Sequence, residues 1–367
     1  MTILIFLAVL FVLILVHEWG HFITAKKTGM QVDEFGIGFP PRLVAKRMGE
    51  TEYTLNLLPI GGFVRIVGEN AEDIAKGEEG SSNPRSFVHK PKWAQALVLV
   101  AGVAMNVIFA WLLYVVVFMV GVPTVVDEQM ATDAAVLTVT SVLPGSPAAD
   151  AGLVVGAEVT GVVRGEDTLD TLTPTAFQTF ITDAGTDSVT LTYAANGVDL
   201  VTSLAPEPGL IKEEPERAVV GVSVGLVEVQ SSGLVSALGQ ALVTTKDTLM
   251  AVTIGLGSLL AGIFSGSADL SQVAGPVGIA GMVGDAAALG FTSLLLFTAI
   301  ISLNLAVINL LPFPALDGGR LVMVGIEALT RRPINPVWVM RVNAIGFILL
   351  ILLMMAVTVS DVTRLVG

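Results

Sequence analysis

The sequence lacks cysteine and contains little charge. Disulfides and thiolate metal sites are excluded because none of the 367 residues is cysteine. Only three histidines occur, His17, His21 and His89, so a metal site must combine them with carboxylates. Charged residues make up 14% of the chain and the mean hydropathy is +0.79, which is typical of a polytopic membrane protein. Without a basic face, nucleic acid is not an expected partner.

The net charge of −13 is concentrated in one stretch. Residues 121–236 contain 16 acidic and 3 basic residues, and the rest of the chain is neutral. We therefore expect one acidic soluble domain, at residues 125–230, inserted into a membrane-embedded body. Short β-rich segments at 136–142, 189–193 and 219–224 alternate with turns, and residues 148–153 resemble a short helix that ends in glycine.

Four long apolar stretches predict transmembrane helices, at residues 1–25, 93–120, 291–320 and 342–359. Lys26 and Lys27 directly follow the first stretch, so the positive-inside rule assigns its end to the cytoplasm. Both termini and the acidic domain are then expected outside the cytoplasm. This orientation fits a multi-pass protein of the bacterial inner membrane, with the lipid bilayer as the partner of its apolar stretches.

Two further regions are neither plain spans nor plain loops. Residues 26–92 contain a Gly/Pro cluster at 35–41, read as a turn, and strand-like segments on either side of it. They predict a β-hairpin-like sheet on the cytoplasmic membrane surface, which either holds substrate by strand addition or is only interfacial. Residues 233–290 predict an amphipathic, glycine-rich connector with a surface-lying helix, since Lys246 and Asp247 disfavour a span. The Gly275–Gly278 segment is expected to break any helix.

The first apolar stretch contains the sequence His17-Glu18-Trp19-Gly20-His21. In a helix the two histidines lie one turn apart on the same face, where both imidazoles can bind one Zn²⁺. Glu18 is then placed to take a proton from the water that the metal activates. Such groups are costly in a membrane helix unless they have partners. The alternatives are a histidine pair that bonds backbone carbonyls, or a cleaved signal sequence, although no basic residue precedes the apolar core.

A second polar segment follows the third apolar stretch and reads Asn309-Leu-Leu-Pro-Phe-Pro-Ala-Leu-Asp317-Gly-Gly. A catalytic zinc site needs a third protein ligand, and Asp317 is expected at the same membrane depth as His21. The prolines end the helix and Gly318-Gly319 are expected to let the backbone turn. Asn309 can contact the scissile carbonyl or its oxyanion, or simply cap the bundle. His89 is expected to be an exposed histidine rather than a ligand.

These paired motifs resemble the site-2 protease family of intramembrane zinc metalloproteases, peptidase family M50. The match is closest to the RseP-like branch, which carries a PDZ domain. The stretches at 35–39, 50–62 and 275–279 are similar to that branch, and residues 144–153 resemble a PDZ core, which gives the acidic domain an expected PDZ-like α+β fold. Gly156-Ala157-Glu158 and Val103 depart from the usual family residues, and Pro40 stands where glycine is common.

The resemblance implies that His17, His21 and Asp317 are zinc ligands, Glu18 is the general base and Asn309 positions substrate. It implies intramembrane cleavage of single-span membrane proteins, such as trimmed anti-sigma factors or remnant signal peptides, and a peptide ligand for the PDZ-like domain. The competing hypothesis is a catalytically silent membrane scaffold or receptor that binds peptides through this domain. A zinc transporter is a weaker alternative, because the second and fourth spans lack charged and histidine residues.

Overall fold

The computed structural model describes residues 1–69, 83–195, 197–210, 217–266 and 274–366. The chain forms two compact units, one from Met1–Val116 with Leu234–Gly367 and the other from Val117–Gly233. The division coincides with the charge boundary in the sequence, since nearly all the excess acidic residues lie in the second unit. The α-helices in chain order are α1 (Thr2–Lys27), α2 (Lys92–Val120), α3 (Pro147–Asp150), α4 (Pro174–Ala184), α5 (Leu234–Ser265), α6 (Pro276–Ala288), α7 (Phe291–Leu310), α8 (Asp317–Thr330) and α9 (Pro336–Val366).

Among the described residues, five helices are long and apolar enough to cross a membrane: α1, α2, α5, α7 and α9. Four of them coincide with the predicted transmembrane stretches, although α9 extends beyond residues 342–359 at both ends. The fifth, α5, occupies the region that we expected to lie on the membrane surface. The predicted helix break at residues 275–278 is confirmed at Gly275, the non-helical N-cap of α6, whereas residues 276–278 already belong to that helix. Proline is favoured in the first helical turn, where its missing N–H costs nothing.

The predicted hairpin-like region consists of β1 (Val32–Met48) and β2 (Thr51–Ile66), which form a two-stranded antiparallel sheet. Both strands bend sharply, so Glu34 pairs with Arg65 on one side and with Glu52 on the other. The sheet is therefore four segments wide. The Gly/Pro cluster is not a loop: it lies within β1, where Gly38, with φ +77°, forms the corner between two segments. The part of the predicted cytoplasmic loop at 70–82 lies outside the described residues.

Aromatic packing attaches this sheet to α1. The ring of Phe22 lies 5.1 Å from that of Phe35 and 6.0 Å from that of Tyr53. Both Phe22 and Phe35 are buried in one apolar cluster with residues of α2. The contact brings Gly62 of β2 beside Glu18, since a Cβ at position 62 would lie 4.0 Å from the Glu18 side chain. The sheet edge is thus fixed next to the histidine motif.

Ion pairs hold the turn of this hairpin to the end of α1. Glu50 bonds Lys26 at 2.6 Å and accepts two bonds from Arg85, at 2.6 and 2.9 Å. Arg85, followed by Lys26, lowers the pKa of Glu50 from its ordinary 4.5 to about 2. A depressed carboxyl pKa stabilises the fold above about pH 4.5, and that contribution is lost as pH falls towards 2.

The second unit is a seven-stranded antiparallel sheet. Its strands are β3 (Val122–Val126), β4 (Val136–Val142), β5 (Glu158–Arg164), β6 (Asp167–Thr168), β7 (Val189–Ala195), β8 (Val198–Leu204) and β9 (Val222–Gln230). The order is β3-β9-β4-β5-β7-β8, with β6 beside β5. Buried and more exposed residues alternate along β5 and β7, and the buried face of both strands packs against the apolar side of α4. The strands at 136–142 and 189–193 and the short helix near Ala148 are confirmed, whereas the third predicted strand begins later, at Val222.

We predict that Glu50→Gln loosens the hairpin turn, because it removes the charge that both basic side chains bond. Hydrogen exchange of amides 42–56 is the measurement. The variant should exchange faster than wild type at pH 7, and wild type should approach the variant as pH falls below about 4.5. The matched control is Glu158→Gln on the second unit, which should leave this exchange unchanged. Equal exchange in Glu50→Gln and wild type would contradict the assignment.

Candidate metal centre

Three side chains from distant parts of the chain converge at the C-terminal half of α1, the half that carries the histidine motif. The Nε2 atoms of His17 and His21 lie 3.1 Å apart. Oδ2 of Asp317 lies 3.0 Å from the first and 3.3 Å from the second. Both histidines are only 8% exposed. The structure therefore brings together the three residues that the sequence singled out as metal ligands, across 300 positions of the chain.

These donor atoms fit a zinc ion. Zinc bonds of about 2.0–2.1 Å in a tetrahedral site place neighbouring ligand atoms roughly 3.3 Å apart. The three separations here agree with that spacing. His21 also has the required outer contact, because its Nδ1 donates to the carbonyl of Val98 at 2.8 Å and leaves Nε2 free for a metal. Two imidazoles and one carboxylate leave a fourth position for water or substrate.

The approach of Asp317 depends on the turn between α7 and α8. Helix α7 ends at Leu310, and Ala315 takes a positive φ of 72° before α8 begins at Asp317. The prediction that Gly318-Gly319 form the turn is wrong, since both lie in the first turn of α8. Glycine is needed there for space: a Cβ at Gly318 would lie 2.2 Å from the carbonyl oxygen of Leu311. The missing side chains let α8 pack directly on the end of α7.

A cavity of about 270 Å³ opens beside the three donors. Glu18 and Asn309 both line it, together with apolar residues of α1 and α7. The Asn309 amide nitrogen lies 3.5 Å from Nε2 of His17. His89 is exposed and its Nδ1 bonds the carbonyl of Asn83, as expected for a residue that is not a ligand. The cavity thus presents a carboxylate and an amide to any group bound between them.

Two residues of α2 complete the centre. Sequence reasoning left two roles open for Asn106, a hydrogen bond between helices or a place in the lining of the active-site cavity, and the structure has it in that lining. It assigned no role to Gly102. Gly102 lies against both imidazoles: a Cβ there would be 2.4 Å from His21 Nε2 and 2.8 Å from His17 Cε1. Asn106 is fully buried, with its amide 3.4 Å from Nδ1 of His17. The only signal in the sequence was a polar Asn inside an apolar helix, four residues after a glycine.

We predict that Gly102→Ala abolishes tight zinc binding, because a methyl group at this position displaces the imidazoles. Zinc content of the purified protein, measured by atomic emission, should fall from near one per chain to a small fraction. Gly257→Ala is the matched control, since its Cβ would meet no atom within 4 Å. Full zinc content in Gly102→Ala would show that α1 and α2 are farther apart than described.

Comparison with known proteins supports the same chemistry. The sequence pattern of peptidase family M50 matches residues 5–353. A Clostridium perfringens protein, assigned by name to the zinc metalloproteases, is 35% identical over 351 residues, which are 95% of this chain and 95% of that protein. The zinc metalloprotease RasP of Shouchella clausii is 29% identical, with 99% of each chain covered. The regulator of sigma-W protease RasP of Bacillus subtilis is 28% identical, again over 99% of each.

The match extends over almost the whole chain rather than over the histidine motif alone. It agrees with the long apolar helices of a membrane protein and with a donor set suited to zinc. The chain is therefore a zinc metalloprotease, and it belongs to peptidase family M50, the family of the site-2 proteases.

Proposed function

We propose that the protein cleaves single-span membrane proteins within their transmembrane segments. The observation that carries this proposal is the position of the donor cluster within α1, a helix apolar enough to span a bilayer. Polar and ionisable groups at such a depth are costly and are retained for function. A zinc site buried among apolar helices favours substrates that are themselves within the membrane.

In this proposal His17, His21 and Asp317 hold the zinc ion, which when bound supplies a Lewis acid that activates water and polarises the scissile carbonyl. Glu18 accepts the proton of the attacking water and delivers it to the leaving amine. Asn309 donates its amide N–H to the oxyanion that forms on the carbonyl oxygen. The shared cavity supports these roles, because Glu18 and Asn309 line it beside the donors.

The bent sheet of β1 and β2 is proposed to hold the substrate. A membrane helix hides its peptide carbonyls in hydrogen bonds, so it must unwind before cleavage. Strand addition would satisfy the freed backbone groups. The position of Gly62 beside Glu18 supports this role, since an extended segment paired there would pass the general base. Phe39, Leu57 and Leu58 are also exposed near the corner, as expected of a sheet that touches lipid.

We propose four crossings, by α1, α2, α7 and α9, with both termini outside the cytoplasm. The motif ends of α1 and α7 meet at the metal centre, and α2 contacts it through its first half. The other ends of these three helices are then on the opposite side. The chain between α2 and α7 must therefore cross the membrane an even number of times. Helix α6 has 13 residues, about 20 Å, which is too short for a bilayer of roughly 30 Å. If α5 crossed the membrane while α6 did not, the number of crossings between α2 and α7 would be odd.

Two contacts support a course for α5 across the outer end of α2. Trp111 bonds the carbonyl of Leu238, and Tyr114 bonds Thr248. Between these two contacts, α5 covers ten residues, about 15 Å along its axis, while α2 covers three residues, about 4.5 Å along its axis. In two antiparallel helices that cross the bilayer side by side, successive contacts would cover similar lengths of both helices, and residue numbers would rise in one helix as they fall in the other. The surface-lying helix predicted from Lys246 and Asp247 agrees with this geometry.

The acidic unit is proposed to be a PDZ-like domain that binds an extended peptide. Strand β3 pairs with residues 226–230 of β9. Among the described residues, no strand pairs with the same edge of β9 at residues 222–225. A groove of about 640 Å³ lies between this edge and α4. An open edge beside a helix supports peptide binding by strand addition. The name of the Bacillus subtilis relative makes a trimmed anti-sigma factor the proposed substrate class, with remnant signal peptides as a second class.

We predict that Glu18→Gln loses cleavage of a single-span test substrate in detergent, by at least about 10²-fold, because general base catalysis contributes 10²–10⁴-fold. Zinc should remain near one per chain, since Glu18 is not among the donors. Glu158→Gln is the matched control and should cleave at the wild-type rate. Equal cleavage by Glu18→Gln would remove Glu18 from the mechanism. A wild type that binds zinc and peptide without cleavage would favour the scaffold hypothesis.

We also predict the side of the membrane on which α5 lies. The chain has no cysteine, so single cysteines can be labelled without background. Asp247→Cys should react with a membrane-impermeant maleimide in intact spheroplasts, and Arg332→Cys only after permeabilisation. Protection of Asp247→Cys under both conditions would place the middle of α5 in the bilayer core and would contradict the four-crossing topology.

A further inference from the structure

The side chain of Asn106 has an unsatisfied oxygen beside the metal centre. The residue is fully buried, and its Oδ1 has no hydrogen-bond partner. Its amide nitrogen lies 3.4 Å from Nδ1 of His17. The backbone is fixed at the same place, because Oγ of Ser302 donates to the Asn106 carbonyl at 2.8 Å. Because the two ends of an amide have the same shape, a half-turn of this side chain gives a bonded state in which the oxygen faces His17.

The chemistry of the metal centre identifies that state. A histidine that binds zinc through Nε2 carries its proton on Nδ1, and this N–H needs an acceptor. His21 has one, the carbonyl of Val98. For His17 the neighbour of Nδ1 is Asn106, whose nitrogen faces it and is a donor. The acceptor that zinc binding through Nε2 requires is therefore the oxygen of the same amide group, which a half-turn of the side chain brings to Nδ1.

We propose that Asn106 is the positioning residue of His17 and that its amide oxygen accepts from Nδ1–H when His17 holds zinc. A half-turn about the last side-chain bond exchanges Oδ1 and Nδ2 without a change of shape, so the pocket accommodates this orientation. Nε2 of His17 is then free for the metal. The imidazole is neutral, with its single proton on Nδ1. This inference rests on His17 being a zinc ligand, as in the proposed function.

The contact with His17 is what distinguishes the two orientations. In one orientation the amide oxygen lacks a hydrogen-bond donor, and in the other the amide N–H lacks an acceptor. Apart from the bond to His17, the two orientations therefore make the same number of hydrogen bonds. A purely structural Asn106 would bond between α2 and its neighbours equally well with or without zinc. The proposal therefore requires that zinc affinity and the protonated nitrogen of His17 both depend on the acceptor at position 106.

Zinc affinity of three variants, measured by chelator competition on the full-length protein in detergent, tests the requirement. Asn106→Leu should bind zinc 10–100-fold more weakly, as loss of an outer-shell partner does elsewhere. Asn106→Asp keeps an acceptor and should stay within a few-fold of wild type. Asn304→Leu is the matched control, since that amide bonds only Ile300 of its own helix. Wild-type affinity in Asn106→Leu, or equal loss in Asn106→Asp, would overturn the proposal.

A spectroscopic measurement covers the case in which Asn106→Leu does not fold. With only three histidines in the chain, the His89→Gln protein labelled with ¹⁵N-histidine reports on the two site imidazoles alone. With zinc bound, both imidazoles should carry their proton on Nδ1, and in Asn106→Asp one of the two Nδ1–H signals should shift while the other stays. An unprotonated Nδ1 on either imidazole, or two unshifted signals in Asn106→Asp, would overturn the proposal. Both readouts are independent of cleavage, so failure of the proposed protease function would be seen separately.

Discussion

The burial of two imidazoles and a carboxylate among apolar helices is the constraint on which this structure depends. Such groups are costly in a membrane-embedded bundle unless they are partnered. Here they partner each other, at separations of 3.0–3.3 Å that match a tetrahedral zinc site. The helices around them keep this cluster compact, and the match to peptidase family M50 extends over all of these helices except the first residues of α1 and the end of α9.

Close backbone approach makes the convergence geometrically feasible. Gly102 lets α2 pass directly over the two imidazoles, and Gly318 lets α8 begin against the end of α7. Each glycine removes a side chain at a point where a Cβ would overlap a donor or a carbonyl. The donors are thus positioned by packing rather than by long flexible side chains, which favours a preorganised site. The contacts of His21 with Val98 and of His17 with Asn106 also fix the orientation of the two imidazole rings.

The sequence predicted what local spacing and composition determine. The one-turn spacing of His17 and His21, the four predicted helices and the acidic unit all depend on neighbouring residues. Asp317 followed from its place after a proline-ended span. Gly102 was missed, and the contact of Asn106 with His17 was not foreseen, because both depend on contacts between helices, which leave no local pattern. The corner at Gly38 was read as a turn for the same reason: a strand that bends and pairs on both edges looks locally like a loop.

Helix α5 shows the limit of composition as evidence. Its length and hydropathy suit a membrane span. Its contacts with α2 do not fit an antiparallel neighbour, because Leu238 contacts Trp111 and the later Thr248 contacts the later Tyr114. Only tertiary contacts distinguish a helix that crosses a bilayer from one that lies across the end of a bundle. In the proposed topology, the even number of crossings between α2 and α7 favours the same course for α5.

The central claim is that zinc is held by His17, His21 and Asp317, and X-ray absorption at the zinc edge of the zinc-loaded protein tests it most directly. The account predicts two imidazole nitrogens and carboxylate oxygen at about 2.0–2.2 Å, with a spectrum unchanged by His89→Gln. A third imidazole in the first shell, lost in His89→Gln, would contradict the assignment of Asp317. A spectrum without imidazole scattering would contradict the site as a whole.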